Sequence, residues 1–138
     1  MDEDIYHYIG CINAERADCL PVEVAETRSF QRDADRFLSE GDRAQMHIDI
    51  ALDPESGVII QGTGGVRKLR WAGNGKGKRG GFRIVYYFYN NDMPIYLLAI
   101  YAKNEKIDIS DCDKSEIKKL VRELVEEYKS MNRLRLIS

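Results

Sequence analysis

The sequence is poor in the residues from which metal centres and disulfide frameworks are built. It contains three cysteines, Cys11, Cys19 and Cys112, with no C-x-x-C spacing, and only two histidines. An odd number of unclustered cysteines argues against a disulfide framework or a zinc ribbon, and two isolated histidines suggest no metal site. No Gly-Lys pair is followed by Ser or Thr, which argues against a nucleotide P-loop. We therefore expect no metal and no small-molecule cofactor.

Long hydrophobic runs and a basic leader are also missing. No apolar stretch approaches the roughly 20 residues of a membrane span, and the N-terminus, MDEDIYHYIG, is acidic where a secretory signal would be basic. With 138 residues, 43% of them hydrophobic, the chain can bury the core of one domain but is short for two. We expect a cytoplasmic protein with no membrane association, an N-terminal extension over residues 1–20 and a single domain over residues 21–138.

Acidic residues are absent from the middle of a chain whose net charge is −2. Between Gly57 and Asn91 there is no Asp or Glu. The cations of this segment are Arg67, Lys68, Arg70, Lys76, Lys78, Arg79 and Arg83. An ordinary solvated surface mixes both signs, and uncompensated cations repel one another unless a polyanion or an acidic partner binds there. The segment therefore predicts a surface that binds nucleic acid.

Three segments have the apolar spacing of amphipathic helices. The first, over residues 30–40, begins after a Ser29 cap and ends at Gly41. The second, over residues 42–53, begins at Asp42, and its expected core stripe is Ala44, Ile48, Ala51 and Leu52. Strand-like alternation in this second segment leaves a strand as the alternative. The third, over residues 114–131, is the clearest helix in the chain.

Four segments have strand character: residues 22–26, 66–71, 82–89 and 95–102. The connections between the last three are short enough for antiparallel hairpins. We therefore expect a small α+β domain with an antiparallel sheet, made of an N-terminal strand and a three-stranded meander. Two N-terminal helices and a C-terminal helix are expected to cover one side of this sheet.

Alternation along the strands assigns the cations to faces of the expected sheet. If the strands are neighbours, their cations converge on its open side, with the loop cations at the rim and tyrosines on which bases can stack. The converging cations are Lys68, Arg70, Arg83 and Lys103, and Tyr101 shares a face with Lys103. Strand arginines also pair with carboxylates or aromatic rings, and tyrosines also serve packing. A structural role therefore stays open for each of them.

The available side chains favour RNA over DNA if this surface is catalytic. The sequence suggests no Ser-His-Asp or Cys-His set and no acidic cluster for Mg²⁺. The ribose 2′-hydroxyl is an internal nucleophile, so cleavage needs only alignment, deprotonation and stabilisation of a crowded phosphorane. Arginine forks supply the stabilisation and a lysine can assist proton transfer. DNA lacks that hydroxyl.

Four motifs follow one another between Gly62 and Glu105. The stretch GTGGVRKLRWAGNGKGKRGGFRIVYYFY, followed by IYLLAIYAKNE, contains R-K-x-R, a basic glycine loop, G-G-x-R-x-[IV]-Y-Y and Y-x-K-N-E. In this order they resemble the HigB-like branch of the RelE/ParE toxin superfamily. The resemblance implies the toxin of a type II toxin–antitoxin pair, with a helix-turn-helix antitoxin as partner. Most RelE-like members cut mRNA in the ribosomal A site with basic side chains on a concave sheet, whereas ParE-like members poison DNA gyrase.

The resemblance implies catalytic roles for four residues: Lys68, Arg70, Arg83 and Lys103. The RNA-binding surface is expected to include six more: Arg67, Lys76, Lys78, Arg79, Tyr101 and Glu105. The C-terminal tyrosine of RelE-type members and the histidines of some HigB-like members have no counterpart here, so the group that transfers the proton stays open. We expect a ribosome-dependent mRNA endoribonuclease. The alternatives are a ParE-like gyrase inhibitor and a non-catalytic nucleic-acid-binding member.

Overall fold

In the computed structural model, which describes residues 5–6, 22–72, 81–102 and 110–137, two strands are followed by two helices, four further strands and a long helix. The elements are β1 (Ile5–Tyr6), β2 (Val24–Thr27), α1 (Arg28–Phe37), α2 (Glu40–Leu52), β3 (Val58–Ile59), β4 (Val66–Trp71), β5 (Phe82–Tyr87), β6 (Ile95–Ala102) and α3 (Asp111–Ile137). The expected α+β class is confirmed. None of the helices in these described ranges is long and apolar enough to cross a lipid bilayer.

The strands lie in the order β1-β2-β6-β5-β4-β3. As predicted, β4, β5 and β6 form an antiparallel meander. However, β2 pairs with β6 in parallel, so the expectation of a wholly antiparallel sheet is wrong. Between β2 and β6 the chain forms two helices and three strands. Because no tight hairpin joins the two strands, nothing in their connection imposes antiparallel pairing.

The helices cover both faces of the sheet, and the expectation that they cover one side is wrong. On one face, α1 and α2 contribute Phe30 and Met46 to a buried cluster that includes Tyr86 of β5. On the other face, α3 contributes Val121 and Leu124 to a second buried cluster. Strands β5 and β6 contain almost continuous apolar runs, and such strands are buried on both faces.

Two hydroxyl groups set the starts of the first two helices. The side chains of Thr27 and Ser39 accept hydrogen bonds from the backbone N–H three residues further on, at 3.2 and 3.1 Å. The expected caps, Ser29 and Asp42, and the expected helix end at Gly41 are therefore wrong, and Gly41 lies inside α2. The hydroxyl of Thr27 also donates to a backbone carbonyl of β6 at 3.1 Å, a long-range contact that local sequence does not reveal.

A buried ionic network joins β2 to both N-terminal helices. The fully buried carboxylate of Glu26 accepts hydrogen bonds from the guanidinium of Arg43 at 3.0 and 2.7 Å. Its Oε2 also lies 2.7 Å from Nε2 of the buried His47. A third contact of Arg43, at 2.6 Å, is with Asp35 of α1. The network therefore fixes α1 and α2 on one carboxylate of the sheet.

This network rotates α2 away from the core stripe expected for it. The buried residues of α2 are Met46, His47, Ile50 and Ala51. Of the expected stripe, Ala51 is buried but Leu52 is 62% exposed. Arg43 and His47 are one helical turn apart and must both face Glu26. Their contacts orient the helix more strongly than its apolar periodicity does.

The hydrogen bonds of the network keep Glu26 ionised. Burial alone raises the pKa of the Glu26 carboxyl, but hydrogen bonds from His47 and Arg43 outweigh it and hold the pKa below its ordinary value. The same network raises the pKa of the Arg43 guanidinium, chiefly through its hydrogen bond to Glu26. A buried pair of this kind stabilises the fold only while both partners are present.

We expect Arg43→Met to lower the free energy of unfolding by about 3 kcal/mol at pH 7, because Glu26 then stays buried without its guanidinium partner. Urea unfolding followed by circular dichroism measures the change. Arg32→Met, at an exposed position of α1, is the matched control, and its effect should stay within about 0.5 kcal/mol. Equal losses in the two variants would contradict this role of the network.

The network also predicts how stability depends on pH. A carboxyl whose pKa is lowered in the folded state contributes stability above its unfolded pKa, and this contribution is lost as the pH falls through the lowered value. For Glu26 the loss begins below about pH 5. We expect the free energy of unfolding to fall more steeply between pH 5 and pH 3 in the wild type than in Glu26→Gln. Parallel curves for the two proteins would refute the assignment.

Candidate nucleic-acid interface

Three cations and a tyrosine of the central strands lie on the face of the sheet that α3 partly covers. The register pairs Arg70 with Arg83, and Arg83 with Tyr101, so these residues form a row across β4, β5 and β6. Directly opposed residues point to the same face, with Cβ atoms about 4.5–5.5 Å apart. Lys68 is opposite Val85, two positions along the same face. The expected alternation is confirmed, and we call Lys68, Arg70, Arg83 and Tyr101 the basic row.

The basic row is short of negative charge. Within the described residues, the side chains of Lys68 and Arg70 form no ion pair and no hydrogen bond, and the strands β4, β5 and β6 contain no Asp or Glu. Arg70 is exposed, while Lys68 and Arg83 are half-buried. Like charges directly opposite one another destabilise a sheet. The pairing of Arg70 with Arg83 therefore brings two positive charges to opposed positions, an arrangement that favours the binding of an anion.

The opposite face of the sheet holds the ends of β4 and β5 together. The pair next to Arg70 and Arg83 is Trp71 with Phe82. The indole N–H of Trp71 donates to Oδ2 of Asp49 on α2 at 2.9 Å. The ring of Phe82 lies 5.3 Å from that of Phe37 on α1. Aromatic packing on one face thus fixes the register that places the two guanidinium groups on the other.

Gly81, immediately before β5, allows the two strands to approach closely at this end. Its φ of +58° lies in the left-handed region. A Cβ atom here would clash with the carbonyl oxygen of Trp71 and would lie 2.8 Å from Cα of Ala72. Only glycine avoids both the conformational strain and the clash. The glycine therefore serves the strand pairing beside the basic row.

Arg67 lies on the other face of the sheet, away from the basic row. Its register partner is Tyr86, which belongs to the cluster packed by α1 and α2. Its guanidinium donates to the backbone carbonyls of Glu55 and Gly57, at 3.1 and 2.8 Å, and lies 3.8 Å from the carboxylate of Glu55. The structure does not bring Arg67 together with the other expected site residues, and its contacts tie the α2–β3 turn to β4.

Five of the expected site residues lie outside the described part of the chain. They are Lys76, Lys78, Arg79, Lys103 and Glu105. Their expected places, at the rim of the surface and beyond the end of β6, stay predictions.

In the sequence analysis, no functional role is assigned to the basic residues of α3. Apolar spacing assigns this helix to the core, and Val121 and Leu124 are indeed buried. Lys118, Arg122 and Lys129 line a groove beside the sheet. Their spacing of four and then seven residues puts them on one helical face, and this periodicity of charge is the signal that identifies them.

Comparison with known protein families decides the class of the protein. A family model described as the RelE toxin of the RelE/RelB toxin–antitoxin system matches residues 23–136. The chain belongs to the RelE toxin family. Toxins of this family are paired with an antitoxin and are typically endoribonucleases that inhibit translation. The match extends from β2 through nearly all of α3 and therefore includes the strands that carry the basic row.

Within this RelE-family fold, we expect substitutions of two arginines on β4 to change the free energy of unfolding differently. We expect Arg67→Gln to lower the free energy of unfolding by about 1–2 kcal/mol, because the carbonyls of Glu55 and Gly57 lose a charged donor. Arg70→Gln should leave the free energy of unfolding unchanged or raise it by up to about 1 kcal/mol, because it removes the repulsion from Arg83.

Urea unfolding of the two variants in low salt measures both effects, and each variant is the charge-matched control for the other. Added salt should stabilise the wild type more than Arg70→Gln, because it screens the repulsion. A clear loss of stability in Arg70→Gln would show that this side chain has a structural partner.

Proposed function

We propose that the chain is a HigB-like, ribosome-dependent mRNA endoribonuclease, and that the basic row binds the phosphate at which the RNA is cut. The proposal is carried by the alignment of Arg70 with Arg83 on a face without carboxylates from the central strands. Family membership supports the toxin role. The motif order from Gly62 to Glu105 supports the HigB-like branch.

The two arginines suit the binding of a single phosphodiester. Their side chains leave adjacent strands at directly opposed positions, so both guanidinium forks can donate to the same phosphate. In the reaction, the ribose 2′-oxygen attacks the neighbouring phosphorus and the bond to the 5′-oxygen breaks. The products are a 2′,3′-cyclic phosphate and a 5′-hydroxyl. Positive charge fixed in place stabilises the phosphorane between these two steps.

Proton transfer is assigned to lysine. The 2′-hydroxyl must lose a proton and the 5′-oxygen must gain one. Lys68 is half-buried and lies on the same face as Arg83, and Lys103 is the second candidate. The ribosome then supplies the alignment of the substrate, which raises the rate without any further protein group.

Tyr101 has a positioning role in this proposal. It is only 8% exposed, so little of its ring is available to a base. As the direct neighbour of Arg83 on β6, it supports the stem of the arginine and orients the guanidinium. Stacking of bases is therefore assigned to more exposed aromatic residues.

The same surface explains how the toxin is neutralised. The proposed partner is a helix-turn-helix antitoxin. An acidic segment of this antitoxin covers the basic row, because carboxylates would neutralise the positive charge of Arg70 and Arg83. Both proteins are assigned to the cytoplasm, where ribosomes and mRNA are present.

We expect expression of the chain to produce cuts within translated messages, as measured by mapping RNA 5′ ends. Arg70→Gln and Arg83→Gln should each reduce the cuts by about 100-fold or more, because each removes a donor that stabilises the transition state. Arg32→Gln, an exposed arginine on α1, should cut as the wild type does. In a purified translation system, cutting should require the ribosome.

Two results would overturn the proposed function. Cuts that persist at the full rate in both variants would show that the basic row is not the site. Intact messages together with double-strand DNA breaks would show that the chain is a gyrase inhibitor.

A further inference from the structure

A groove separate from the basic row lies between α3 and the end of β5. It encloses about 240 Å³, and Tyr87 and Tyr89 line it on the side of the sheet. Tyr87 belongs to the buried cluster on the α3 face and is four residues beyond Arg83 along β5, a distance of about 13 Å. The groove is therefore on the same face of the sheet as the basic row, four residues along β5 from Arg83 and two residues from Val85, the partner of Lys68.

The helix side of the groove is strongly basic. Lys118, Arg122 and Lys129 are all exposed and line it together with a single carboxylate, that of Glu126. Within the described residues, Lys118 and Arg122 form no ion pair, although Glu126 is only one helical turn from Arg122. Three cations against one carboxylate leave an excess of positive charge that an anionic ligand would neutralise.

An exposed aromatic ring lies within this positive charge. Tyr89 is 39% exposed, and the ammonium group of Lys129 lies 5.9 Å from the centre of its ring. Tyr87 is only 7% exposed and forms the floor of the groove. Burial, and secondly the nearby Tyr89, raise the pKa of the Tyr87 hydroxyl. This hydroxyl therefore stays protonated and can donate a hydrogen bond.

We propose that the groove is a second RNA-binding site, in which one nucleotide of a single strand stacks its base on Tyr89 and places its phosphate against Lys118 and Arg122. An aromatic platform next to phosphate-binding cations is the general arrangement by which proteins bind single strands without reading their sequence. The volume of the groove is below the usual range for small-molecule pockets, which suits one nucleotide of a longer chain. The proposal rests on the proposed function only for the choice of RNA as the polyanion.

The test measures binding of the full-length chain to a fluorescein-labelled single-stranded RNA in which every ribose is 2′-O-methylated, so that it cannot be cut. Fluorescence anisotropy at several salt concentrations gives the Kd and its salt dependence. Lys118→Gln/Arg122→Gln should raise the Kd about 10-fold and reduce the slope of log K against log salt by about 1 to 2. Tyr89→Leu should raise the Kd about five-fold with little change in that slope, because it removes stacking and no charge.

A charge-matched control separates the groove from the general electrostatics of the protein. Arg32→Gln/Lys119→Gln removes two charges from exposed positions that do not line the groove, and its Kd should stay within about two-fold of wild type. The substituted side chains are exposed or partly exposed, so urea midpoints equal to that of the wild type should show that every variant is folded.

The outcomes distinguish this site from the basic row. If Arg70→Gln weakens RNA binding but both groove variants bind as the wild type does, the groove proposal fails and the proposed function stands. If the groove variants instead lose affinity only for the antitoxin, the groove belongs to a protein interface and the proposal is overturned. Weaker RNA binding in the groove variants supports the groove even if no RNA is cut in cells, which would count against the proposed function alone.

Discussion

The alignment of two arginines across adjacent strands is the constraint on which the candidate site depends. Arg70 and Arg83 are directly opposed on adjacent antiparallel strands, where like charges lower the stability of a sheet. Other contacts of β4 and β5 fix the register in which this pair lies. Under the proposed function, a phosphate bound between the two arginines would meet positive charge that is already fixed in place.

The contacts that fix this register lie on the opposite face. The pair of Trp71 with Phe82 is packed against α2 and α1, and a slip of one residue would exchange the two faces of the strand. The helices are in turn anchored on β2 by the buried carboxylate of Glu26. The network around Glu26 and the basic row are on different sides of the sheet, but the first supports the layer that keeps the second in register.

How much of the fold and of the candidate site the sequence predicts depends on how far apart along the chain the interacting residues are. Alternation in β4 and β5 correctly placed Lys68, Arg70 and Arg83 on one face, because a period of two depends only on neighbouring residues. The parallel pairing of β2, the bond from the Thr27 hydroxyl to β6 and the rotation of α2 toward Glu26 depend on partners distant in the chain, so local patterns could not supply them. For Arg67, alternation alone gives a face different from that of Lys68, whereas its partners in the α2–β3 turn are visible only in the structure.

Under the proposed function, Arg70 and Arg83 bind one phosphate together and Arg67 does not take part. The most direct measurement follows the arginine Nε–Hε resonances of the ¹⁵N-labelled full-length chain by NMR while a 2′-O-methylated RNA strand is added. We expect the Arg70 and Arg83 signals to shift together with one apparent Kd, and the Arg67 signal to stay unchanged. A shift of Arg67 with Arg70 and Arg83 unchanged, or different Kd values for Arg70 and Arg83, would contradict it.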